Sequence, residues 1–323
     1  MLPVAMVTGA SIYLIYHFMP EPVHRAGPFL ASLVGMMQPL MIFTMLFLTF
    51  CRIEPRDLRP HRWHCWLLLV QGGLFTILGF AAYAIIRWLP GGYHDSVVLI
   101  ESAMLCLICP TATAAAVVTH KLGGSIPGIT TYIVLINILT AVLVPLMVPL
   151  VQPQSGVDFW TAFSMILAKV FPLLITPCLC AWLVRYLLPG FYRRIVSYPD
   201  LPFYLWAVGL ALAISVTTKA IVHSDMKISL LVSMAIVSLL CCAFQFAAGR
   251  YLGTIYDSKT SGRGSKVTAG QSLGQKNTIF AIWLGYTFLT PETSIVGGFY
   301  SLWHNIYNSW QLYRAGHTSR VDK

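Results

Sequence analysis

Residues 268–278 read Thr-Ala-Gly-Gln-Ser-Leu-Gly-Gln-Lys-Asn-Thr and run directly into Ile279-Phe280-Ala281-Ile282-Trp283-Leu284. The first stretch is polar and interrupted by glycine. The second has the character of a membrane-embedded helix. A lysine and several amides at that depth are expensive, so an intramembrane polar stretch reads first as a functional site. A second interruption, Cys109-Pro110-Thr111-Ala112-Thr113, lies inside another apolar run. Paired interruptions in corresponding helices of two halves point to the substrate site of a secondary transporter.

The rest of the chain supplies the membrane context. It has 323 residues, 57% hydrophobic and 10% charged, with a mean hydropathy of +0.72. That is the composition of bilayer spans rather than of a soluble domain. Ten segments suffice to span: 2–18, 28–51, 64–87, 96–119, 127–151, 160–188, 201–221, 228–250, 267–289 and 294–313. The first is short, but it has no basic start and no clean cleavage site before Pro20, so it reads as a span and not as a signal peptide. The expected fold class is an all-α integral membrane protein of ten transmembrane helices in two inverted five-helix repeats, with two unwound, crossing helices.

Basic residues orient it. Ten spans put both termini on one side, which collects 15 Lys and Arg against four (Arg25, Arg87, Lys219 and Lys227) on the other, with Lys169 and Lys276 inside spans and left out. Both termini are therefore expected in the cytoplasm of a multi-pass cell-membrane protein, the inner membrane of a bacterium. The net charge of +10 is then a topology signal, and nucleic acid is excluded as a partner because no dense basic cluster sits on a soluble surface. Tyr256 to Lys266 reads as a mobile connection.

An offset of 169 residues aligns the two halves, pairing Pro3 with Pro172, Leu14 with Leu183, Pro20 with Pro189 and Arg25 with Arg194. It also carries the 109–113 break onto the 271–282 region. Residues 1–160 and 161–323 are the expected repeats. With five spans each, the second enters the membrane inverted.

Individual polar residues have two readings each. Pro110 is either an ordinary proline kink, with Thr111 and Thr113 bonded to their own helix, or the start of non-helical backbone lining a cavity. Gln271 and Gln275 share a face if that segment is helical. Lys276 lies ten residues past Lys266, about 15 Å into the span, too deep to snorkel, and reads as a cavity-facing cation. Gln71, taken alone, is helix–helix glue. Glu101 reads as an interfacial acid, with a proton relay as its sharper alternative, and Lys276 is the other possible proton site. Asn137, His304 and Asn305 complete the intramembrane polar set, His304 bonding a neighbouring helix or carrying protons. All eight cysteines fall in or at the ends of apolar spans, and Cys106-x-x-Cys109 lacks the second pair of a zinc site. No phosphate-cradling glycine loop, nucleophile elbow or paired carboxylates appear, so neither ATP-driven transport nor an enzyme is expected.

Four stretches now carry a resemblance: Pro39-Leu40-Met41-Ile42-Phe43 with Arg56-Asp57-Leu58, Cys109-Pro110-Thr111-Ala112-Thr113-Ala114, Gln271-x-x-x-Gln275, and Ser301-Leu302-Trp303-His304-Asn305. With them the chain resembles the bile acid:sodium symporter family along nearly its whole length. The resemblance implies a panel domain (1–60 plus 161–225) beside a core domain (61–160 plus 226–315). It also implies unwound fourth and ninth helices crossing in the core, and an organic anion bound beside the crossing. Candidate substrate contacts are Thr111, Thr113, Lys276, Asn277, His304 and Asn305.

The same resemblance places one sodium site at Gln271, Ala115-Ala116 and Asn137, and a second at Gln271, Gln275 and Gln71. Here the family's shared Glu has become Gln271, two ligand side chains have become alanine, and Lys276 stands beside the site. Two unit charges about 6 Å apart at an effective dielectric near 20 repel by roughly 3 kcal/mol, about a hundredfold in binding. The expectation is a secondary transporter of an organic anion, bile acid-like or a small carboxylate, with weakened or absent sodium coupling. A true sodium symporter and a non-transporting receptor or scaffold on the same fold are the rivals. Membrane lipid is the expected surroundings, and sodium the one possible ion in a chain without cofactors.

Overall fold

A computed structural model describes residues 2–20, 27–88, 94–153, 156–198, 201–223, 226–255 and 263–321. Arg25, Lys259 and Lys323, used above for orientation, lie outside the described residues, as does 256–262 of the expected mobile connection. The remainder of that connection, from Arg263 on, is helical, which corrects its expected extent.

The chain is all helix, with one isolated bridge and no strand among the described residues. In order come α1 (Leu2–His17), α2 (Gly27–Cys51), α3 (Arg62–Trp88), α4 (His94–Ile108), α5 (Ala115–Lys121), α6 (Ile126–Val151) and α7 (Phe159–Leu187). Then follow α8 (Pro189–Val196), α9 (Leu201–Val222), α10 (Ile228–Ile255), α11 (Arg263–Gly274), α12 (Thr278–Phe288) and α13 (Ile295–Val321). Six of them are long and apolar enough to cross a membrane: α2, α3, α6, α7, α9 and α10. α1 and α12 are shorter apolar helices.

Local chemistry sets the helix ends. Ser125 opens α6 by accepting from Gly128 N, with Pro127 in the first turn. Asp158 opens α7, its carboxylate held below the usual range by the hydroxyl and N–H of Thr161. Asn277 opens α12 by accepting from Phe280 N. Pro39, Pro145, Pro149, Pro172 and Pro177 are carried inside helices, whereas Pro110 follows the end of α4. Burial is inverted relative to a soluble protein. Leu69, Ile77, Phe80 and Leu240 are exposed, while Gln71, Glu101, Gln245 and Ser272 are fully buried. That pattern suits a bundle whose solvent is lipid.

α1 packs on α9, and α2 on α7 and α9; α3 packs on α4 and α6, α6 in turn on α7, and α10 on α4, α11 and α13. The α10–α11 contact depends on close backbone approach. A Cβ at Gly249 would sit 2.5 Å from Ala269 O, and one at Gly253 2.7 Å from Ser265 O. Small residues four apart let membrane helices touch this way. Gly249→Ala is expected to lower the melting temperature in detergent through an overpacking cost of about 1–3 kcal/mol. An unchanged transition would mean that the two backbones do not meet there.

Candidate functional site

Two helix breaks meet in the interior. α4 stops at Ile108 and α5 starts at Ala115; α11 stops at Gly274 and α12 starts at Thr278. The second break spans only 275–277, so the polar, glycine-interrupted stretch is helical as far as Gly274. Between the breaks Thr111 and Lys276 form an antiparallel bridge. Ala112 N donates to Gln275 O at 2.9 Å, and Asn277 N donates to Pro110 O at 2.8 Å. The Thr111 hydroxyl donates to Ser272 O at 2.6 Å. Each break thus satisfies the other's freed backbone groups, the condition for irregular chain at this depth. Of the two readings of Pro110, the structure has the break and not the kink.

The carbonyls at the end of α4 carry the electrostatics, because a helix C-terminus is a partial negative charge with unsatisfied acceptors. Four elements converge on them. Gln245 Nε2 donates to Cys106 O at 3.2 Å, and Lys276 Nζ donates to Leu107 O at 3.1 Å. Thr140 Oγ1 donates to Ile108 O at 3.0 Å. Gln71 Nε2 reaches both Ile108 O and Cys109 O, with its own oxygen accepting from Tyr132. Tyr300 in turn donates to Gly274 O, the last residue of α11. Lys276 is 2% exposed, and the groups around its ammonium are the thiols of Cys106, Cys109, Cys241 and Cys242. Among the described residues no carboxylate pairs with it. All eight cysteines are free, and no group of three His, Cys, Asp or Glu suited to a metal is present among the described residues.

These contacts decide how well the site suits sodium. A hard cation needs several oxygens, one preferably charged. The α4 carbonyls already accept protein donors, one of them an ammonium. Buried oxygens without a protein partner include Asn137 Oδ1, Gln245 Oε1, Gln271 Oε1, Ser272 Oγ and Gln275 Oε1, all neutral. Ala115 and Ala116 stand in the first turn of α5 and offer no side-chain oxygen. The site offers a cation neutral oxygens only.

Other expected positions fall as follows. Gln271 donates to Asn308 in α13, and Asn137 and Asn305 donate to carbonyls of their own helices. His304 is buried edge-on against Tyr300, with no protein partner at Nδ1. Thr113 is half-buried just before α5. Glu101 is 0% exposed, at the middle of α4. It accepts from Gln152 Nε2, Thr290 N and the Thr293 hydroxyl, pinning the turn before α13 to α4 and to the end of α6.

A large opening lies elsewhere. A cavity of about 1210 Å³ sits among α1, α2, α7, α9 and the second half of α12. It extends to His17 and His223 at the ends of α1 and α9 and to Gly27 at the start of α2. Lys169, Lys219 and Gln38 line it, Gln38 being 4% exposed with no protein partner for its Nε2 donors. Tyr13 and His223, joined at 2.6 Å, stand at the rim with His17. None of Thr111, Thr113, Lys276, Asn277, His304 or Asn305 lines this cavity, so Lys276 is an interior cation and does not face it. The reason lies in α12: the break ends just before its first residue, Thr278, whereas the cavity touches Trp283, Tyr286 and Thr287, roughly 7 Å or more further along the helix. Sequence reasoning missed Gln38, Lys169 and Lys219 as cavity residues. Lys169, an intramembrane lysine, carried the signal that could have found it.

Compared with known proteins, the chain matches no protein-family model and no curated protein.

Proposed function

We propose that the chain is a secondary transporter of an amphipathic organic anion, working by alternating access, in which Lys276 takes the place of a coupling sodium. One observation carries this reading. A fully buried ammonium caps the carbonyl end of a half-helix where two broken helices meet, and the helix leaving that junction walls a large cationic cavity. Support for an inverted repeat comes from the element order: α1, α2 and α3 in the first half and α7, α9 and α10 in the second, where the short α8 is an addition, each followed by a broken helix and a long one, with α6 and α13 beginning 169 residues apart at Ile126 and Ile295. α1, α2, α7, α8 and α9 correspond to a panel, the others to a core. The cavity lies between panel and α12, on the side away from the cytoplasmic termini in the expected orientation. Gln38, Lys169 and Lys219 receive the anionic group, and the aromatic and aliphatic walls receive an apolar body. Motion of core against panel would carry it across. The resemblance to the bile acid:sodium symporter family agrees with this arrangement and departs from it at the cation site.

The test is uptake into proteoliposomes of a panel of organic acids, in sodium chloride and in choline chloride, with and without a pH gradient. Uptake is expected to be equal in the two salts. Lys169→Gln and Lys219→Gln are expected to raise KM about tenfold each, the value of one charge-assisted hydrogen bond of about 1.5 kcal/mol. A steep loss in choline, restored by millimolar sodium, would overturn the coupling claim. Saturable binding without accumulation would favour a receptor.

A further inference from the structure

A second concavity, about 650 Å³, runs along the outer face of α10 and α13. Its walls are apolar: Leu239, Ala243, Phe246, Ala247, Trp303 and Tyr307. Trp303 spends its N–H on Ala235 O and Ser238 Oγ, so only its ring faces a ligand's chain. One end is different. There the lining becomes Arg250, Tyr251, Thr254 and Lys266, with no carboxylate among the described residues that line it. Arg250 is held in place. Its stem packs where Gly270 lacks a Cβ, at 2.6 Å from that position, and its Nη1 donates to Gln311 Oε1 at 3.1 Å. Lys266 and Tyr251 are exposed beside it.

The dimensions match one leaflet. Leu239 to Arg250 is about 16 Å of helix, roughly half the hydrocarbon thickness of a bilayer. A groove with two cations and an interfacial tyrosine at its polar end, and an apolar floor reaching to the midplane, has the charge and shape of an anionic phospholipid. We infer that the α10–α13 groove binds one anionic glycerophospholipid from the leaflet on the termini side, its phosphate on Arg250 and Lys266 and an acyl chain along Phe246, Ala247 and Trp303. The inference does not depend on what the protein transports.

The experiment uses the full chain in neutral detergent, titrated with phosphatidylglycerol, phosphatidylcholine or inorganic phosphate, and followed by native mass spectrometry and melting temperature. Phosphatidylglycerol is expected to bind saturably and raise the transition, and the other two to do neither. Lys266→Gln, an exposed change, is expected to weaken binding about fivefold, one lysine near an anionic headgroup contributing about 1 kcal/mol, with the lipid-free melting temperature unchanged. Ala247→Phe keeps both cations and fills the groove, and is expected to weaken binding at least tenfold. Equal binding of phosphatidylcholine, or phosphatidylglycerol binding untouched by both variants, would overturn the proposal. Phosphate acting as well as the lipid would reduce it to an anion site without a lipid.

Discussion

Lys276→Met is expected to raise the melting temperature by several degrees and to cut uptake of the transported anion by about a hundredfold. The two effects have opposite signs because they come from different properties of one ammonium. Stability loses a charge-assisted hydrogen bond to Leu107 O, about 1.5–3 kcal/mol. It regains the desolvation of a buried cation that has no carboxylate to meet it, several kcal/mol after relaxation. Methionine is of similar length and suits a site already lined by four cysteine side chains. Transport loses the positive charge that neutralises the carbonyl end of α4, about half an elementary charge when unscreened. If that charge replaces a coupling ion, its removal leaves the two-state element without its bias, and a hundredfold loss corresponds to about 2.7 kcal/mol. Thermal unfolding and initial uptake rates in the same proteoliposome preparation check both. A lowered transition would make Lys276 a structural cap. Unchanged uptake would remove it from the mechanism.

The junction was legible because its residue types are improbable in an apolar span. A proline followed by threonines, and a lysine between amides, interrupt the run wherever they stand. What misled was glycine. Gly270 and Gly274 suggested unwound backbone, yet both are helical. Gly270 admits the stem of Arg250, and Gly274 the ring of Phe246, whose atoms would lie 2.4–2.6 Å from an added Cβ. Composition does not distinguish a glycine used for flexibility from one used for close approach. The cavity was illegible for another reason. Tyr13, Gln38, Lys169 and Lys219 come from four helices far apart in the chain, and no spacing rule joins them. Gln71 reached the junction only through the family resemblance; read alone it was glue. In the structure it is both, an amide from α3 bonded to the broken end of α4.

Glu101 separates a relay from a staple, and a pair of substitutions is expected to tell them apart. Glu101→Ala should lose the folded protein, whereas Glu101→Gln should fold and transport within about threefold of the parent. The carboxylate accepts from three donors, Gln152 Nε2 at 2.5 Å, Thr290 N at 3.1 Å and Thr293 Oγ1 at 2.9 Å, and is fully buried. Alanine strands all three. At about 1–3 kcal/mol for each unsatisfied buried donor, the sum is comparable with the roughly 5–15 kcal/mol that holds a domain together. Glutamine keeps one oxygen for Thr290 and Thr293. Gln152 turns its amide over to accept from the new Nε2, giving up its bond to Thr290 Oγ1, so the net cost is about one hydrogen bond. A proton carrier behaves otherwise, since an amide has no proton to release in this range and uptake driven by a pH gradient would stop while the protein stayed folded. Size-exclusion profiles and melting temperatures report the first property, and gradient-driven uptake the second. Transport lost in folded Glu101→Gln would return Glu101 to the coupling path. Transport retained there, with Glu101→Ala aggregated, leaves it as the pin that fixes the turn before α13, held at the middle of α4, about 10 Å along the helix from the junction where Lys276 sits.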